Sequence, residues 1–170
     1  MEDQRSVPDP VELSLNDRVS MLYNFSHWST NRLIALSLFI AYFLYGQISD
    51  WALIVFIGLN VGIVMWREIL RRRFKAINSA GEEILKWGVY FTLTSLANGF
   101  IWGGACFFFM MATGQDVALL MSVAIIGMSA MSLVLNSTFL PALFAFAIPA
   151  MSGLTLSFLL KVDVDRKSVV

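Results

Sequence analysis

Long apolar runs broken by short polar stretches set the plan of this chain. Between Leu33 and Leu160, lysine, arginine, aspartate and glutamate are confined to the segment Arg67–Lys86, apart from Asp50 and Asp116. The breaks delimit five apolar spans, residues 33–48, 51–65, 87–111, 117–135 and 139–160. A helix needs about 20 residues to cross a hydrocarbon core about 30 Å thick. The last three spans meet that length. The first two are short and borrow their flanks, with Arg32 snorkelling at the start of one and Trp66–Leu70 extending the other. The pattern predicts an all-α polytopic integral membrane protein with a five-helix transmembrane domain over residues 32–160. No charged residue is expected inside a span, so a proton relay or ion-coupled transporter would lack its usual working groups.

Residues 1–31 are too polar and acidic for a signal peptide. Ser14 and Asp17 fit a capping box, and Val11, Leu15, Val19 and Leu22 recur near helical spacing, which predicts an amphipathic helix lying at the interface ahead of the first span. Phe25, Trp28 and the single histidine, His27, suit headgroup depth.

Composition agrees with the pattern: 58% of residues are hydrophobic and 14% charged, and the mean hydropathy is +0.71, against roughly 45–50% and about 25% in soluble domains. A net charge of zero without a basic tract argues against a nucleic-acid partner. Cys106 is the only cysteine and lies in an apolar run, which excludes an intramolecular disulfide. No catalytic constellation, metal site or cofactor motif is legible. The lipid bilayer is the one partner that composition demands.

Charge also gives orientation. The segment 67–86 carries Arg67, Arg71, Arg72, Arg73, Lys75 and Lys86 against Glu68, Glu82 and Glu83, and the positive-inside rule places it in the cytoplasm. Arg67, Arg71, Arg72, Arg73 and Lys75 are thus the topology-determining residues. The flanking loops hold no basic residue and face out. The N-terminus is then cytoplasmic and the tail, residues 161–170, extracytoplasmic.

Small and polar residues within the spans are the candidate functional positions. Gly58 and Gly62 form one GxxxG pair and Gly99 and Gly103 another; each pair shares a helix face and lets a second helix approach, within the chain or in a homodimer. Gly127 is a further packing candidate. Asn60 and Asn98 lie mid-span, where an unpaired amide is costly, so each is expected to bond across helices or to contact a ligand. Ser129 joins them as a candidate ligand contact, within a faint polar series of Thr92, Thr94, Ser95, Ser122, Ser132 and Ser152 that could line a small cavity. Pro149, inside the fifth span, is a candidate hinge.

The order of "RVSMLYNFSH", a first span, a span ending in Trp-Arg with an arginine cluster, "NGFIWGG" and "AIIGMSAMSLVLNSTFLPALFAFAIPA" resembles the N-terminal multi-pass membrane module of bacterial GGDEF/EAL cyclic-di-GMP proteins and hybrid sensor histidine kinases. The likeness covers about Asp17 to Leu160 and rests on Gly99, Trp102, Gly103, Gly127, Pro141, Phe146 and Pro149. It implies a non-catalytic sensory or anchoring module in the bacterial inner membrane. Family members resemble chains with a sixth span and a cytoplasmic output domain, so an ending at Val170 after five spans implies a truncated receptor or a short protein acting through partner helices. Two other functions fit the residues: a stand-alone scaffold or assembly subunit, and a small-molecule or lipid carrier with a cavity among the last three spans.

Overall fold

The computed structural model describes residue 19 and residues 32–77, 83–113, 115–136 and 139–168. These fold into helices α1 (Arg32–Leu44), α2 (Asp50–Ile77), α3 (Glu83–Ala112), α4 (Gln115–Asn136) and α5 (Leu140–Ser168). The protein is an all-α polytopic membrane protein: α2 to α5 are each long and apolar enough to cross a bilayer, and α1 is a shorter apolar helix. Its outer surface is inverted relative to a soluble bundle, with Tyr42, Val123, Ile148 and Leu159 all at least 65% exposed. Only lipid satisfies so much apolar surface.

Local chemistry explains the helix ends. After Leu44 the chain reverses in a tight turn, in which the amides of Gln47 and Ile48 both donate to the Leu44 carbonyl and Gly46 takes a φ of 78°. Glycine alone adopts that conformation without steric cost. The carbonyl of Ser49 then accepts from the Ala52 amide, and Asp50 and Asp116 place carboxylates in the first turns of α2 and α4, where the helix dipole favours them. Lys161 of α5 donates to the carbonyls of Met110 and Thr113 at 3.4 and 3.2 Å. A cation thereby meets the unsatisfied C-terminal carbonyls of α3, and that level of α5 lies at the same end of the bundle as the α3–α4 connection.

Three boundaries differ from the sequence expectation. The first span, expected over 33–48, is helical only to Leu44 because the glycine turn begins there. The second does not end at Met65. Glutamate, arginine and lysine are good helix formers, and Glu68 pairs with Arg71 at 2.7 Å and Arg72 at 2.9 Å along one helix face. Most of the expected loop is therefore the end of α2 and the start of α3. Likewise α5 passes Leu160 into the expected tail. Of the expected interfacial helix only Val19 is described; it is helical, 1% exposed, and packed with Leu70, Ile84, Trp87, Phe91 and Ala142. Its other residues, His27 included, lie outside the described residues.

Helix α3 touches α2, α4 and α5, and its contact with α5 is the most extensive among α2 to α5. That contact is made backbone to backbone. A Cβ added at Gly99 would stand 2.5 Å from the Phe146 carbonyl oxygen and 2.6 Å from the Pro149 ring. One at Gly103 would collide with the Pro149 carbonyl, and one at Gly153 with the backbone of Gly103. Gly99 and Gly103 thus pack as expected, and Pro149 serves as a packing surface for them. Gly153 completes the seam. Gly58, Gly62 and Gly127, expected to pack, are exposed, and a Cβ added at any of them would meet nothing within 4 Å. Toward the α3–α4 connection the core is filled by Ile40, Leu44, Phe56, Trp102, Phe109, Met110, Met121 and Ile125, with Phe56 edge-on to Trp102 and Phe109 at 5.3 and 5.5 Å.

Gly103→Leu should destabilise the bundle by about 1–3 kcal/mol or more, since no flexible side chain can yield to the new atoms. Gly58→Leu and Gly62→Leu should change stability by no more than about 0.5 kcal/mol. Thermal unfolding of the purified protein in detergent checks both.

Candidate functional site

Polar groups within the bundle gather on one line, the seam between α2 and α3. Asn60 and Arg67 are seven residues apart on α2, two helical turns, and so share a face. Across from them α3 presents Phe91, Ser95, Asn98 and Trp102, which repeat at helical spacing. The helices run antiparallel, so Asn60 meets Trp102 toward one end and Arg67 meets Ser95 toward the other.

Asn60 is fully buried, and both of its polar atoms are hydrogen-bonded. Its Oδ1 accepts from Trp102 Nε1 at 3.0 Å and its Nδ2 donates to the Phe56 carbonyl at 2.8 Å. Of the two readings of Asn60, an interhelical bond or a ligand contact, the structure contains the interhelical bond.

Arg67, singled out from the sequence only as a topology-determining residue, also belongs to the seam. Its Nη2 donates to Ser95 Oγ at 3.2 Å, its guanidinium carbon lies 5.3 Å from the centre of the Phe91 ring, and its Nε is buried with no hydrogen-bond partner. The adjacent carboxylate does not neutralise it, because Glu68 binds Arg71 through two hydrogen bonds and Arg72 through a third. At 1.5 Å per residue Arg67 lies about 25 Å along α2 from Asp50, within the stretch Asp50–Ala76 that is long and apolar enough to cross a membrane. The expectation that no charge lies within a span is thus corrected. The signal was present: Arg67 continues the face of Asn60, but the charged run after it made it read as the first residue of a loop.

Asn98 lies one turn from Ser95 toward Trp102. It is 2% exposed and its Oδ1 has no partner. An orphan acceptor and an orphan donor, each costly to bury, therefore share one seam. Ser129 also has a buried, unpartnered Oγ, but it belongs to α4, which packs on α3 and α5 and not on α2. The structure does not bring it to the seam. The remaining hydroxyls are largely spent on their own helices: Thr92 donates to the Gly88 carbonyl, Thr94 to Phe91, Ser122 to Ala118 and Ser152 to Pro149. Of this series, Ser152 lines an open, mostly apolar groove of about 600 Å³ between α3 and α5. Arg71, Arg72, Arg73 and Lys75 extend from α2 beyond Arg67, with Arg72, Arg73 and Lys75 exposed. Cys106 is buried with its Sγ 3.4 Å from Met110 Sδ, a packing contact.

Compared with known proteins, the chain matches no family model, no curated protein and no solved structure.

The Asn60–Trp102 bond should act as a unit. Asn60→Leu and Trp102→Phe are each expected to lower stability, and the double variant to lose less than the sum by about 0.5–2 kcal/mol. A double-mutant cycle on detergent unfolding reads this coupling; strict additivity contradicts it.

Proposed function

We propose that the chain is a non-catalytic sensory or anchoring module of a bacterial signal-transduction protein, of the diguanylate cyclase or sensor kinase type. Its place is the inner membrane, with the N-terminus and the basic end of α2 in the cytoplasm and the end of α5 outside. One observation carries this reading. Helix α2 runs without a break from Asp50 to Ile77, is held to α3 at membrane depth through Asn60 and Arg67, and continues into Arg71–Lys75. A shift of α2 against α3 inside the bilayer therefore displaces a charged surface at its end, which is the mechanical requirement for passing a signal to an attached or associated output domain. The resemblance of the motif order to the membrane modules of cyclic-di-GMP enzymes and hybrid kinases supports the same reading.

A second reading, a scaffold or assembly subunit, draws on Gly58 and Gly62, which lie open on the outer face of α2 and would let a partner helix or a second copy approach closely.

Fusion of a further apolar span and a diguanylate cyclase domain after Val170 separates the two. In cells with equal protein levels, Asn60→Leu should change cyclic-di-GMP output by about fivefold or more, while Gly58→Leu leaves it unchanged. The opposite result favours the scaffold, and equal output from every variant contradicts the sensory reading.

A further inference from the structure

We infer that the α2–α3 seam holds a binding site for a phosphate that retains one P–OH group, either inorganic phosphate or the phosphomonoester headgroup of a lipid. The inference stands independently of what the module is attached to, because it follows from three groups on the seam. Arg67 brings a positive charge into the seam, and among the described residues no carboxylate balances it, since Glu68 is committed to Arg71 and Arg72. A partly buried cation without a counter-ion is costly to desolvate, and an anion offsets that cost. Its buried Nε has a hydrogen to donate and nothing to receive it. Ser95 Oγ accepts from Arg67 Nη2, which leaves its own O–H free to turn toward the same anion.

Asn98 narrows the ligand. A fully ionised oxyanion only accepts hydrogen bonds, so it would satisfy Arg67 and Ser95 and leave Asn98 Oδ1 buried and unpaired. A singly protonated phosphate oxygen donates one hydrogen while its other oxygens accept. Arg67 and Ser95 offer donors, and Asn98 an acceptor, along the same seam. Phosphomonoesters have a second pKa near about 6, so the P–OH form is present near neutrality. Arg67 is itself only partly buried, and the exposed Arg72 and Arg73 lie beyond it on α2, so the approach from that end is strongly positive and concentrates anions.

The test uses the full chain in nanodiscs of neutral phosphatidylcholine and reads the unfolding temperature. Inorganic phosphate, or phosphatidate added to the bilayer, should raise Tm by about 5 °C at saturating concentration. A rise with inorganic phosphate assigns the free anion, and a rise with phosphatidate alone assigns the lipid headgroup; both support the site. Arg67→Gln should abolish the shift. Should that variant fail to fold, Asn98→Leu decides: it should be at least as stable as the wild type without ligand, because the orphan acceptor is gone, and should lose most of the shift. No shift with either phosphate overturns the proposal. So does an equal shift with sulfate or with the phosphodiester phosphatidylglycerol, which have no P–OH, or an undiminished shift in Asn98→Leu.

Discussion

The close approach of α3 and α5 is the constraint on which the rest of the structure depends. In water, helices associate because burial removes apolar surface from solvent; in a bilayer the lipid tails are as apolar as the side chains, and that drive is absent. What remains is contact between well-fitted surfaces and the few polar bonds between helices. Gly99, Gly103 and Gly153 provide the fit, since their missing side chains let the backbone of one helix lie on the backbone of the other. Pro149 belongs to the same seam for a related reason: its ring and carbonyl form a rigid surface against which the two α3 glycines rest. With α3 fixed on α5, the remaining faces of α3 become the platforms for α4 and α2.

The α2–α3 contact is of a different kind. It is narrower and relies on directional bonds, one from Trp102 to Asn60 and one from Arg67 to Ser95, with aromatic contacts at either end where Phe56 meets Trp102 and Phe74 meets Trp87. A glycine seam resists displacement because any shift drives atoms into backbone. A seam of a few hydrogen bonds and an arginine over a ring has no such steric stop, and the unpartnered Arg67 Nε and Asn98 Oδ1 leave bonds in it still to be made. This division gives the bundle a fixed half, α3 with α5, and a helix, α2, whose position is set by polar chemistry. The orphaned atoms at Arg67 and Asn98 fall on that second seam, where a bound group would do most to decide the geometry.

Much of this was legible in the chain. The spans followed from the spacing of charges, because a membrane helix tolerates few of them and the breaks are then conspicuous. Gly99 and Gly103 were found because a four-residue glycine spacing has a direct geometric meaning. The same spacing at Gly58 and Gly62 has no partner among the described residues, since sequence dictates which residues share a face but not which face meets a neighbour. Gly153 was missed for the converse reason: it has no partner glycine on its own helix, and its role exists only opposite Gly103. Arg67 was visible as a residue and misplaced as an element, because a run of arginines reads equally as a loop or as the end of a long helix. Only the facing positions of Ser95 and Phe91 separate the two.

Backbone hydrogen exchange of the full chain in a lipid nanodisc tests the central claim, that the α3–α5 backbone contact holds the bundle together. Amides flanking Gly99, Gly103, Pro149 and Gly153 should be the slowest to exchange, opening only with the whole bundle, while those of α1 and the basic end of α2 open by smaller, local fluctuations. If the α3–α5 amides exchange as fast as those of α1, the seam is not what the fold rests on.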